Sequence, residues 1–478
     1  MTKLLPTPKI YRENKDNRLS FSQSIISNCK VFENAIPAFN EILKKLFKIS
    51  LTYEKGGLEL VLDTSLAPDA YVIDTEGGSF VIRASAKEGL MYALSSTIQL
   101  ITVTGNKLSA PSLYIEDKPD KEYRSLMLDL SREWHTMDQI LKFVDLCFLY
   151  KINYLHLHFI DDPRYTLPSK LFPKLSTVGE SYTEEEIKKL VDYAYARGIN
   201  LVPEFECPGH AGSMTTQYPD IFANASDGVG GKFYNELGEE MSGDSLLCAG
   251  SEKAFKATCD LLTEMSEMFP HSKYIHIGGD EALIQLWNQC PNCRKYMQDN
   301  GIEDVYELYS EYVARITDHV LSIGRTPIVW EGFPKKGAER ISKDVVVIAW
   351  ESHYHLAPDL LDEGFTIINA SWQPLYIVPS LNRRWLPIDI LNWNVYNWQH
   401  WWEHSVATKT PITVPETTKV MGSILCSWCI TYEQEVARIM ENLIAMNERV
   451  WNTERVTSDS EYIATFKTIY PLAARIMQ

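Results

Sequence analysis

From Arg124 onward the chain repeats one pattern: a short apolar run, a loop opening on polar or aromatic residues, then a stretch with apolar positions at helical spacing. Eight such runs stand out: RSLMLDL (124–130), INYLHLHF (152–159), INLVPEFE (199–206), KYIHIGG (273–279), RTPIVW (325–330), VVVIAW (345–350), FTIINA (365–370) and GSILCSW (422–428). Segments 137–150, 183–197, 251–268, 303–322 and 433–451 carry the helical period between them. Apolar strands alternating with helices predict a parallel sheet, and eight units over about 355 residues predict a (β/α)8 TIM barrel with long loops, an α/β fold.

Residues 1–119 read differently. GLELVLD (57–63) and GSFVIRAS (78–85) alternate like half-buried strands, and AKEGLMYALSSTIQLI (86–101) has helical spacing, so a small α+β domain is expected before the barrel. In PSLYIEDKPDKEYR (111–124) two prolines and dense charge interrupt both periods. The expected division is 1–119 for the small domain and 120–478 for the barrel.

A length of 478 residues suits one barrel plus something smaller, and 45% hydrophobic residues suffice for a substantial core. The net charge of −17 argues against nucleic acid and anionic membrane surfaces as partners and favours a neutral ligand. Twelve Trp and 25 Tyr supply flat rings of the kind that stack on sugar faces. The N-terminus MTKLLPTPKIYRENKDN lacks the apolar segment of a signal peptide, and no apolar run is long enough to span a bilayer, so a cytoplasmic location is expected unless a leader was trimmed. Nine cysteines, an odd number, fit reduced thiols. The two CxxC pairs, Cys290–Cys293 and Cys426–Cys429, lie too far apart in sequence for a zinc ribbon, so buried or free thiols are expected there.

In a (β/α)8 barrel the catalytic groups stand at the C-terminal ends of the strands. Those ends read Asp129 to Arg132, His158 to Asp162, Glu204 to His210, Asp280-Glu281, Trp330-Glu331, Trp350 and Trp428. Asp280 and Glu281 follow Gly278-Gly279 directly, and adjacent residues on extended backbone point in different directions. A glycosidase with an enzyme nucleophile holds its two carboxylates about 5–5.5 Å apart across the bond, usually from separate elements. A neighbouring pair instead suits a reaction whose nucleophile belongs to the substrate. The letters GGDE also occur in a nucleotide-cyclising domain, but here Ala282 and a helix-like stretch follow. His156 and His158 share a strand face and could be read as the HxH metal pair of a metal-dependent barrel hydrolase. Their place on the second barrel strand rather than the first weighs against zinc there, and no cofactor is expected.

The run HIGGDE (276–281) resembles, at every position, the signature of glycoside hydrolase family 20, the β-N-acetylhexosaminidases. Further blocks resemble that family in order: RSLMLDLSRE (124–133), NYLHLHFIDD (153–162), the long block 182–213 ending in ECPGHAGS, and GRTPIVWEG (324–332). The resemblance implies an exo-acting, retaining enzyme that removes terminal β-linked N-acetylhexosamine from a glycan, with the substrate's acetamido oxygen as nucleophile. It implies Glu281 as general acid and base, Asp280 as the group orienting the acetamido, and Asp161 and His210 as the pair around the acid. It also implies Arg132 on the sugar hydroxyls, Trp330, Trp350 and Trp428 as pocket walls, and Tyr376 as donor to the acetamido oxygen. Like-charge repulsion from Asp280 is expected to keep Glu281 protonated. A catalytically dead sugar-binding protein is the remaining rival, and retention of both Asp280 and Glu281 weighs against it.

Three positions depart from the family pattern: Glu206 for an aspartate, Val378 for an aspartate, and Ile430 for a glutamate. Contacts at the far edge of the sugar are therefore expected to differ, with Glu433 or Glu435 as candidates to replace the lost acid.

Overall fold

The computed structural model describes residues 4–224, 232–234, 240–242, 245–380 and 383–478. Eight parallel strands form its centre: Tyr123–Asp129, Tyr154–His158, Asn200–Glu204, Tyr274–His276, Thr326–Trp330, Val346–Ala349, Thr366–Asn369 and Val420–Ser427. Each pairs with the next, and the seventh also pairs with the eighth, which in turn pairs with the first, closing the barrel. All eight contain apolar runs read from the sequence. Their residues are buried almost without exception, which explains why they read as continuous apolar segments rather than as alternation.

The helices between them start where side chains can cap them. Thr136 opens Met137–Leu149 and Thr183 opens Glu184–Ala196, each in a capping box, and the second helix adds Glu184, Glu185 and Glu186 in its first turn. The barrel interior narrows onto stacked tyrosines at its N-terminal end, with Tyr123 and Tyr154 4.3 Å apart and Tyr274 edge-on to both. No helix among the described residues is long and apolar enough to cross a membrane.

Before the barrel, a seven-stranded mixed sheet runs in the order Ile10–Ser22, Lys107–Asp117, Tyr71–Asp74, Phe80–Ala84, Leu58–Leu62, Ile25–Ser27, with Thr102–Thr104 beside Lys107–Asp117. The strand Lys107–Asp117 passes through the stretch read as interrupted by proline. Pro111 fits because the partner strand shifts register between Asn14 and Arg18 beside it. Helices Ile36–Phe47 and Lys87–Leu100 belong to the same part, and Lys87–Leu100 packs on the first barrel helix, Met137–Leu149. A final helix, Asp459–Met477, packs against Met137–Leu149 and Ile36–Phe47. It was not among the helices read from the sequence, although Ser458 and Glu461 form a capping box at its start.

Buried polar groups join the sheet to the barrel. The Asp117 carboxylate accepts from Tyr71 Oη at 2.7 Å and from Trp451 Nε1 at 2.9 Å, and lies 3.5 Å from Lys151 Nζ. Burial pulls Lys151 down to about 8, against the pull of Asp117 in the other direction. Asp117→Ala would leave that ammonium buried with no countercharge and is expected to cost about 3–5 kcal/mol. Urea unfolding at pH 7 checks this, and an unchanged midpoint would contradict the assigned role.

Candidate active site

Asp129 ends the first barrel strand, and its Oδ1 accepts the backbone N–H groups of Ser131 and Arg132 at 3.2 and 2.9 Å. That turn carries the Arg132 guanidinium back over the barrel mouth, 2.5 Å from Asp161 Oδ2 and 5.2 Å above the Trp428 ring. The second strand places His156 and His158 on one face, as its period of two requires. Both bond Glu204 of the third strand, His156 Nε2 at 2.9 Å and His158 Nδ1 at 2.7 Å, and Trp330 Nε1 donates to the other Glu204 oxygen at 2.5 Å. Glu204, which sequence reasoning placed at a strand end without a role, is thus the partner of the HxH pair.

From Glu204 a line of alternating charge leads to the solvent. His158 Nε2 lies 2.9 Å from Asp161 Oδ2, and Asp161 Oδ1 lies 3.6 Å from His210 Nδ1. His210 Nε2 then lies 3.4 Å from Glu281 Oε2 and 3.9 Å from Asp280 Oδ2. Burial alone would strip these groups of charge, and their neighbours reverse it. Glu204 and Asp161 push His158 up to about 10, and Asp161 drives His210 well above the usual histidine range. His210 and Arg132 hold Asp161 well below the usual carboxylate range.

The two adjacent carboxylates differ from expectation in which of them keeps the proton. Glu281 is half exposed, and despite partial desolvation the His210 cation holds it below its ordinary value. Asp280 lies deeper; burial, reinforced by Glu281, lifts it to about 7. The proton therefore favours Asp280, because Asp280 is the deeper of the two and Glu281 lies nearer the histidine.

Backbone strain concentrates on this rim. His210 (φ 48°), Glu281 (φ 45°), Ser352 (φ 54°) and Cys429 (φ 53°), each just beyond a barrel strand, adopt the left-handed conformation without being glycine. Such residues cost about 1–3 kcal/mol each and persist where the surroundings hold them. Gly278 (φ 73°) is required for a further reason: a Cβ there would sit 2.0 Å from Glu206 Oε2. Glu206 is buried, and among the described residues neither of its oxygens has a hydrogen bond. Burial and the nearby Asp280 raise its carboxyl well above the usual range, with His158 Nδ1 3.4 Å from its Oε1.

The three expected indoles do come together. Trp330 forms the floor, 5.9 Å from Trp428 and 6.4 Å from Trp350. Tyr376 lies parallel to Trp350 at 6.2 Å and stacks on Trp372 at 4.7 Å. Trp372 was missed by sequence reasoning, although it lies in the aromatic-rich stretch before Tyr376. Asp280 Oδ1, Tyr376 Oη and Trp428 Nε1 are buried with no well-formed hydrogen bond among the described residues. Glu331, placed at a strand end without a role, accepts the backbone N–H groups of Trp350, Ser352, His353 and Tyr354 at 2.9–3.2 Å and shapes the loop after the sixth strand.

Of the two candidates for the lost far-edge acid, one is committed elsewhere. Glu435 is bound to His135 Nε2 at 2.5 Å in a buried pair, and Glu433 is exposed. Beside the apolar Val378 stands Arg438, whose Nη1 donates to the Val378 carbonyl.

Residues 122–454 match the model of the glycosyl hydrolase family 20 catalytic domain, and residues 1–118 match that family's domain 2. The chain belongs to glycosyl hydrolase family 20. Within it, the β-hexosaminidase of Vibrio furnissii is 25% identical over 452 residues, covering 89% of this chain and 72% of that protein. The β-hexosaminidase of Porphyromonas gingivalis is 28% identical over 375 residues, which cover 73% of this chain and 47% of that protein. Among solved structures, a family 20 exo-β-N-acetylglucosaminidase from Vibrio harveyi has a TM-score of 0.85 at 22% identity, covering 99% of this chain and 77% of that one. A β-N-acetylhexosaminidase from Bacteroides fragilis has a TM-score of 0.80 at 22% identity, covering 98% and 94%.

The contrast between two buried glutamates is testable. Glu204→Gln removes a carboxylate held by several donors and is expected to cost about 3–5 kcal/mol, whereas Glu206→Gln changes a carboxyl with no hydrogen bond among the described residues and should cost under about 1 kcal/mol. Denaturant midpoints of the two variants check this order, and equal losses would contradict it.

Proposed function

We propose that this chain is a retaining exo-β-N-acetylhexosaminidase that removes terminal β-linked N-acetylglucosamine or N-acetylgalactosamine with the help of the substrate's own acetamido group. The observation that carries the reading is the set of buried polar atoms in an indole-walled pocket: Asp280 Oδ1, without a hydrogen bond among the described residues, can accept the acetamido N–H, and Tyr376 Oη, facing Trp428, can donate to the acetamido oxygen. Held at both ends, that oxygen attacks the anomeric carbon as the glycosidic bond breaks, and Glu281 gives its proton to the departing oxygen. Water then opens the oxazolinium ring at the same carbon, and Glu281 takes the water's proton. Arg132 binds sugar hydroxyls through a guanidinium that Asp161 orients.

The reaction needs the proton on Glu281, and binding moves it there. An acetamido N–H donated to Asp280 favours the ionised aspartate, and an aglycone covering Glu281 favours the neutral acid. One proton shared by the pair therefore serves both states, and the pair rather than either residue sets the pH dependence. As pH rises through about 7 the free pair loses that proton, so kcat/KM is expected to fall on the alkaline side with a midpoint near there. Asp280→Asn removes one of the two titrating groups and should shift this limb; an identical profile in the variant would contradict the shared proton.

Hydrolysis of 4-nitrophenyl N-acetyl-β-D-glucosaminide beside the plain β-D-glucoside tests the reading directly. Cleavage of the acetamido sugar alone, reduced by about 10²-fold or more in Glu281→Gln, is the expected outcome. Comparable rates on both sugars would contradict the substrate nucleophile. With Val378 and Ile430 at the far edge, the ratio between N-acetylglucosaminide and N-acetylgalactosaminide should also differ from that of relatives bearing acids there. An ordinary ratio, together with ordinary rates on a 6-sulfated substrate, would remove this last inference.

A further inference from the structure

Behind the catalytic rim three cysteines from two separate loops converge. Cys248 precedes the helix Glu252–Met268, while Cys290 and Cys293 sit at the start of the helix Pro291–Asn300, with Pro291 between them as its first residue. All three are buried, at 1%, 0% and 0% exposure. Cys248 Sγ lies 3.6 Å from Cys290 Sγ and 3.8 Å from Cys293 Sγ, and the three sulfurs lie within 4.8 Å of one another. The sequence reading set Cys290–Cys293 aside because the other CxxC pair is remote. The third sulfur comes instead from Cys248, 42 residues before Cys290.

We propose that Cys248, Cys290 and Cys293 bind one zinc ion that clasps the two loops carrying the catalytic groups. A tetrahedral zinc with Zn–S bonds of about 2.3 Å has S···S edges of about 3.8 Å, which the two short separations match before any ion is bound. A disulfide needs sulfurs about 2.05 Å apart and joins only two of them, leaving the third thiol buried beside it with no function. The CxxC spacing at a helix start is one that structural zinc sites use, and the helix N-terminus faces the net negative charge of a zinc trithiolate. Among the described residues no fourth His, Cys, Asp or Glu joins the cluster, and a solvent oxygen can complete the tetrahedron. Binding replaces three S–H bonds by three Zn–S bonds and releases three protons to solvent, with no change of oxidation state.

The position of the clasp gives it a consequence for the site. Leu247, next to Cys248, donates its N–H to the Pro208 carbonyl at 2.8 Å, and Ala211 donates to the Ser245 carbonyl at 2.9 Å, so this loop holds the turn that carries His210. On the other side, the chain runs from Glu281 through the short helix Ile284–Asn288 to Cys290, and Trp287 Nε1 donates back to the Leu247 carbonyl at 2.9 Å. A Cβ on Gly250 would lie 2.4 Å from the Asn292 carbonyl oxygen, so the two loops already touch at the backbone. Zinc would lock together the loops that set the His210–Glu281 distance.

Metal content of the purified full chain, after zinc loading and desalting, tests the proposal independently of any glycosidase activity. One zinc per chain is expected, lost in the double variant Cys290→Ser/Cys293→Ser. In case that variant fails to fold, cobalt loading of the wild-type chain gives a second readout, an intense thiolate-to-cobalt charge-transfer band with tetrahedral d–d absorption. Removing zinc from the folded wild type with a strong chelator should lower the melting temperature, and re-adding zinc should restore it. A zinc-loaded wild type that retains no metal, whether its three thiols titrate as free or as one free thiol and a disulfide, would overturn the proposal, as would cobalt binding without the charge-transfer band.

Discussion

The site depends on keeping charge inside a barrel that would otherwise neutralise it. Burial works against charge on Glu204, but His276, His158 and His156 around it, with Trp330 donating to it, hold its carboxyl well below the usual range, and the cation thereby fixed on His158 permits Asp161 to be ionised in turn. Asp161 then holds Arg132 and His210 as cations at the mouth, where they meet the substrate side. Each charge is expensive alone and tolerable only beside the next. Removing an inner member therefore disturbs groups that touch neither it nor the sugar.

This chain of charge also explains the placement of the paired carboxylates. Glu281 leaves the fourth strand in a left-handed conformation, which turns it toward His210, while Asp280 stays beneath, near the buried Glu206. Below them, Glu206 occupies the space that a side chain at Gly278 would need. Glutamate in place of the family's aspartate at 206 therefore acts beneath the pocket floor rather than on the sugar.

Much of this was legible in the sequence, for physical reasons. Strands buried on both faces read as apolar runs, so all eight barrel strands could be placed, and the polar groups that broke those runs at their ends come together at one mouth of the barrel. The helix Asp459–Met477 went unseen because no strand follows it to complete a βα unit, although Ser458 and Glu461 marked its start. Which carboxylate holds the proton could not be read, since Asp280 and Glu281 are neighbours in sequence but lie at different depths. The meeting of Cys248 with Cys290 and Cys293 was hidden because it depends on how two distant loops pack. The fate of Glu435 was hidden likewise: its carboxylate turns to His135, 300 residues away.

The central claim is that the charged rim presents the substrate's acetamido oxygen as the nucleophile. Measuring kcat/KM for a series of aryl β-glucosaminides whose N-acyl group carries zero to three fluorines tests it most directly, because each fluorine weakens that oxygen without altering the leaving group. The account predicts a steep, monotonic fall along the series. A flat series would mean that another nucleophile attacks the sugar, and would contradict it.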